Sequence, residues 1–203
     1  MRFKNKTVIV TGAGSGIGET TAIKFAQEGA NVIIADIDPI NGKIVTTKIN
    51  DANGSALFVE TNVANFDSIN EMVNKTINEF DLPDILINNA GINVFGEPLK
   101  MPDSEWKRAF SVDLDGVWFG CKAVLPHMLK KNKGSIVNVA SVHGIQIIPN
   151  CFPYPVAKHG VIGLTKALAV DYASKGIKIN SISPGYIDTP IVERFFKTKP
   201  DPD

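Results

Sequence analysis

The stretch Thr11-Gly12-Ala13-Gly14-Ser15-Gly16-Ile17-Gly18 decides the fold. It follows a β-rich apolar run over residues 6–11. It opens a segment, residues 16–28, in which Ile17, Thr21, Phe25 and Ala26 recur at helical spacing and Gly29 stands as a C-cap. Small residues at such a turn let the backbone approach a pyrophosphate. The helix that follows offers unpaired N–H groups and the positive end of its dipole. The spelling is not Gly-x-Gly-x-x-Gly, whose last position falls on Ile17; it is Gly12, three residues, Gly16, one residue, Gly18. Strand, glycine turn and helix together make Gly12, Ser15, Gly16, Ile17 and Gly18 the expected cradle of a dinucleotide.

Outward from this turn, strands and helices alternate. Strands are expected over Asn31–Asp36 and residues 56–60, 85–89, 135–141 and 177–183. Helices are expected over Pro39–Asp51 and residues 67–80 and 154–174. A long helix capped by Asp103 or Ser104 should reach residue 131. Strands separated by helices imply β-α-β crossovers and a parallel sheet covered on both faces. The fold class is therefore α/β, a doubly wound, Rossmann-like parallel sheet in three αβα layers with about six strands. Ligands in such sheets sit at the carboxyl ends of the strands.

Bulk properties narrow the function. The 203 residues suit one domain, 1–203. Lysine plus arginine equal aspartate plus glutamate at 21 each, so charge points to neither nucleic acid nor an anionic membrane. No apolar run has the length of a membrane span. Cys121 and Cys151 match no metal motif and no disulfide framework, which reads as two free thiols in a cytoplasmic protein. No His/Cys/Asp cluster has ligand spacing, so no metal is expected.

Asp36 ends the second expected strand, where a carboxylate accepts hydrogen bonds from the adenosine ribose and repels a 2′-phosphate. Ser15 and Ile37, the places for a phosphate-binding base, are not basic, so NAD is expected over NADP. The alternative is that Asp36 only caps the helix near Pro39.

Five motifs in order now resemble the short-chain dehydrogenase/reductase family: the glycine turn, Asn88-Asn89-Ala90-Gly91, Ser141, Tyr154-x-x-x-Lys158, and Pro184-Gly185 with Thr189. The match runs from Lys6 to about Thr189. The resemblance implies that Asn62 and Val63 face the adenine, and that Asn89, Ala90 and Gly91 line the middle of the cofactor. It also implies that Ile187 and Thr189, after Pro184-Gly185, hold the carboxamide, and that Ser141 orients the substrate. Tyr154 and Lys158 lie four apart on one helix face. There Tyr154 would serve as general acid/base, and Lys158 would favour the phenolate and reach the nicotinamide ribose.

The family's asparagine, seven residues after its tryptophan, is Asp113 here after Trp106. Asp113 keeps an acceptor and loses the amide donor, and as a buried carboxylate it would act on Lys158. His143 is placed either to bond a hydroxylated substrate or to stand as a loop histidine with no ligand; His127 and His159 read as structural. Val94, Phe95, Gln146, Phe152 and Tyr186 complete the expected pocket.

The function expected is an NAD-dependent oxidoreductase acting on a small secondary alcohol, sugar or ketone, with a homodimer or homotetramer as the assembly the resemblance implies. A non-catalytic dinucleotide binder is the alternative. The family usually continues with a seventh strand, so the chain reads as truncated, with 190–203 as the stub of a substrate lid.

Overall fold

The computed structural model describes residues 1–190, 192 and 193. The chain forms β1 (Thr7–Thr11), α1 (Gly16–Gln27), β2 (Asn31–Asp36), α2 (Pro39–Asp51), β3 (Ser55–Glu60), α3 (Phe66–Glu79) and β4 (Ile85–Asn88). It continues with β5 (Phe95–Gly96), α4 (Asp103–Phe110), α5 (Gly116–Lys131), β6 (Gly134–Val139), β7 (Phe152–Pro153), α6 (Tyr154–Tyr172) and β8 (Ile177–Ile182). Six strands make one parallel sheet in the order β3-β2-β1-β4-β6-β8. The winding reverses between β1 and β4, and this switch opens a crevice at the strands' carboxyl ends.

Alternation along the strands divides the core in two. Ile9, Ile33, Leu86 and Ile136 point to one face, where they join Ile69 and Met72 of α3 and Val124 and Met128 of α5. Val8, Val10, Val32 and Ile34 point to the other, with Ala22 and Ala26 of α1 and Val45 and Ile49 of α2. The sheet is thus covered on both sides, and all five residues of β1 are buried. Gly29, at φ +88°, follows α1 as the left-handed C-cap residue.

Three sequence expectations change. The long helix is not continuous: a π turn at Ser111–Asp115 separates α4 from α5. Neither Asp103 nor Ser104 caps it, because Asp103 is already helical and Pro102 holds the N-cap position without a side-chain bond. A small antiparallel pair, β5 with β7, was not foreseen. The expected lid stub, 190–203, is described only at Pro190, Val192 and Glu193; the rest lies outside the described residues. Among the described residues no helix is long and apolar enough to cross a membrane.

Candidate active site

A cavity of about 520 Å³ lies over the carboxyl end of the sheet. The loop after β1 gives it Gly12, Ser15, Gly16 and Ile17, and β2 ends in it with Asp36. Asn62 and Val63 follow β3, and Asn89, Ala90 and Gly91 follow β4. Ser141 and His143 follow β6, Tyr154 and Lys158 come from α6, and Pro184, Gly185, Ile187 and Thr189 follow β8.

Gly12 and Gly16 take φ of +63° and +58°, the left-handed region where only glycine is unstrained. A Cβ on Gly12 would also stand 2.8 Å from Ala90 Cα. Gly18 does not line the cavity. Its missing Cβ lets α1 close onto the Gly12 carbonyl, so it shapes the turn from behind. Gly14, not singled out from the sequence, lines the cavity, and its N–H donates to Asp36 Oδ2 at 2.7 Å. Asp36 Oδ1 accepts from the Asp38 N–H at 2.9 Å. Asp36 does not cap α2: Asp38 does, accepting from Ile40 N and Asn41 N. The carboxylate of Asp36 is thus held at the cavity edge by backbone donors.

The loop after β4 is tied to the glycine turn. Asn89 Nδ2 donates to the Thr11 and Gly12 carbonyls at 3.0 and 3.1 Å. One residue earlier, Asn88 donates to Asn138 Oδ1, and Asn138 donates to Thr165 Oγ1, each at 2.9 Å. This buried polar chain pins β4 to β6 and α6, and fixes the strand ends from which the site residues project.

Tyr154 opens α6 and Lys158 follows one turn later. The Lys158 Nζ lies 5.4 Å from the Tyr154 ring centroid. It donates to the Val139 carbonyl at 3.2 Å and is buried. Phe95 and His143 meet the Tyr154 ring edge-on at centroid distances of 5.5 and 6.1 Å. Ser141 Oγ accepts from the His143 N–H at 3.1 Å, which leaves its own proton to donate. Of the other pocket side chains expected, Phe95 and Tyr186 line the cavity; Val94, Gln146 and Phe152 do not. His159 Nδ1 pairs with the Pro155 carbonyl at 2.8 Å, away from the cavity lining.

Asp113 sits inside the π turn, fully buried. Its Oδ1 accepts from the Ile92 N–H at 2.9 Å and lies 3.7 Å from Lys158 Nζ. Burial pushes its carboxyl above the usual range, against the pull of Lys158, the Ile92 N–H and Arg108. Ile92, Asn93 and Val142 line the cavity without having been singled out. Their adjacency to Gly91 and Ser141 was the available signal.

A family model described as short chain dehydrogenase matches residues 6–200. The chain is 39% identical to a 3-oxoacyl-(acyl-carrier-protein) reductase of Thermotoga maritima, covering 96% of this chain and 79% of that protein. It is 38% identical to a cyclohexanol dehydrogenase of an Acinetobacter species, covering 96% and 78%. Its structure superposes on that of levodione reductase with a TM-score of 0.93 at 36% identity, covering 97% of this chain and 77% of the other. The chain belongs to the short-chain dehydrogenase/reductase family, oxidoreductases that use a nicotinamide cofactor.

Proposed function

We propose that the chain is an NAD-dependent oxidoreductase acting on an uncharged secondary alcohol, sugar or ketone, with Tyr154 as general acid and base. The observation that carries this reading is the convergence of the glycine turn, Asp36 and the Ser141–Tyr154–Lys158 group on one cavity. The residues fit a dinucleotide: backbone without Cβ atoms at Gly12, Gly14 and Gly16 leads to the start of α1, and the volume is that of an ordinary cofactor cleft. When bound, the nicotinamide supplies the acceptor or donor of the hydride.

The chain's own residues handle the proton. Tyr154 takes the hydroxyl proton of the alcohol during oxidation and returns it during reduction. Lys158, a buried cation beside the phenol, stabilises the negative charge that develops on the phenol oxygen. Ser141 donates its free hydroxyl proton to the reacting oxygen and so orients the substrate. His143 borders the same end of the cavity and is placed to bond a second oxygen of the substrate.

Asp36 and Asp38 both line the adenosine end, and two carboxylates there disfavour a 2′-phosphate, so NAD is the cofactor we assign. Phe95, Val142, His143 and Tyr186 surround the catalytic end. These aromatic and aliphatic walls, with Lys158 as the one lining cation of this end among the described residues, suit a neutral, ring-shaped substrate, in keeping with the name of the cyclohexanol dehydrogenase it resembles. Trp118 on α5 and Val170 on α6 are exposed apolar side chains on helix faces, which supports a homodimer or homotetramer.

The test is NAD reduction across a panel of secondary alcohols and sugars, with Tyr154→Phe alongside. Turnover should fall by roughly 10²- to 10⁴-fold in the variant while NAD affinity stays close to that of the parent. NAD binding without Tyr154-dependent turnover on any substrate would instead support a non-catalytic dinucleotide binder.

A further inference from the structure

The buried carboxyl of Asp113 joins three parts of the site. It stands in the π turn between α4 and α5, an irregularity that places one extra residue in the helical ladder and is frequent at functional sites. Its Oδ1 accepts from the backbone N–H of Ile92 at 2.9 Å, in the loop that follows β4. The same oxygen lies 3.7 Å from Lys158 Nζ on α6. Gly91 is pressed between them: a Cβ there would lie 2.9 Å from Asp113 Oδ1 and 3.5 Å from Lys158 Nζ. The second oxygen, Oδ2, is buried without a hydrogen-bond partner. An unmet buried acceptor is costly, and a proton taken up on Oδ2 would remove the buried charge, while the ammonium 3.7 Å from Oδ1 favours the charged form.

We propose that Asp113 is an ionisable positioning residue: as a carboxylate it holds Lys158 and the Gly91–Ile92 backbone in register, and on protonation it releases both, so that the site carries its own acid switch. The proposal rests on the oxidoreductase reading above. Asp113 faces few other charges: Lys158 from α6 and, at longer range, Arg108 from α4, both favouring the carboxylate, with the Ile92 N–H as the polar donor from the β4 loop. Burial opposes all three and is the largest influence, which brings the titration above the range of an exposed aspartate. Losing the carboxylate charge would leave Lys158 as a buried cation with, among the described residues, the Val139 carbonyl as its hydrogen-bond acceptor. It would also weaken the anchor of the loop that runs on to Phe95, whose ring meets that of Tyr154.

Two measurements test this. The first needs neither cofactor nor substrate: the amide resonance of Ile92 in the ¹⁵N–¹H spectrum, followed as the pH is lowered from about 8 to about 4. The proposal expects a single titration of the Ile92 amide in the parent protein and its disappearance in Asp113→Asn, a near-isosteric change whose dispersed spectrum also reports folding. An Ile92 amide indifferent to pH in the parent overturns the proposal even if the variant fails to fold, and so does an equal titration in Asp113→Asn.

The second is the pH profile of turnover on whichever substrate the panel yields. Asp113→Asn should move the acid limb by about one pH unit or more and lower kcat more than it raises KM for the substrate. A purely structural residue would change the height of the profile and leave its shape. An unmoved acid limb would therefore overturn the role in turnover. Absence of turnover in the parent would overturn the oxidoreductase reading and leave the Ile92 titration standing.

Discussion

On the reading proposed above, the adenosine lies at the Asp36 end of the cavity, and cofactor choice there comes down to two neighbouring side chains. Asp36 holds its carboxylate against the Gly14 and Asp38 N–H groups, and Ile37 beside it is 63% exposed. A cation placed at residue 37 would stay in water on its stem and reach a ribose phosphate as a bidentate partner. Ile37→Arg alone should raise activity with NADP several-fold, because Asp36 still repels the phosphate. Combining it with Asp36→Asn keeps an oxygen for the Gly14 N–H and removes the charge. The double variant should shift the NADP-to-NAD ratio of kcat/KM by roughly ten- to a hundredfold, the equivalent of about 1.4–2.8 kcal/mol. A ratio unmoved in the double variant would mean that the 2′ position of the ribose is not near Asp36. This residue pair was readable in the sequence because it ends a strand with a recognisable apolar run. Gly14 was not, because its importance comes from the approach of Asp36 across the turn.

The elements are held in register by contacts that periodicity does not reveal. Asp84, just before β4, accepts from Lys131 Nζ at 2.7 Å, Thr7 N at 3.0 Å and Lys6 Nζ at 3.2 Å. It therefore links the end of α5 to the start of β1. Burial pushes its carboxyl up, and the three donors outweigh that and hold it below the ordinary value. A depressed carboxylate contributes stability that is complete above its unfolded value and is lost as pH falls through the folded one. Asp84→Asn should then lower Tm at neutral pH, with the gap to the parent narrowing steadily once the pH drops below about 4. A gap of constant size down to about pH 2 would assign the effect to packing instead. The sheet itself was legible, because buried parallel strands are continuous apolar runs and the helices between them carry their own spacing. The π turn was not: Ser111–Asp115 is helical by composition, and its wider ladder accompanies contacts that Asp113 makes with Ile92 and Lys158 across space. The β5–β7 pair escaped for a simpler reason, since two residues per strand hold no period.

Across the whole molecule, one cavity draws its walls from the loops after all six sheet strands, from the carboxyl end of β2 and from the first turns of α6. A ligand filling it bridges both sides of the switch between β1 and β4, so binding is linked to the stability of the entire sheet. For a ligand that binds only the folded chain, saturation at a hundred times Kd adds about 2.7 kcal/mol. In a domain of this size each kcal/mol moves Tm by about 2–4 °C, so NAD should raise the melting temperature by roughly 5–10 °C. ADP-ribose should deliver most of that shift, because it would occupy the glycine turn and Asp36. Nicotinamide mononucleotide should deliver little on its own, since it lacks the adenosine half that Asp36 and Asn62 border. NADP at the same concentration should fall well short of NAD. A melting temperature that none of these ligands moves would separate fold from function here: the glycine turn would then be a tight strand-to-helix connection alone, and the proton-handling group around Tyr154 would have no hydride partner beside it.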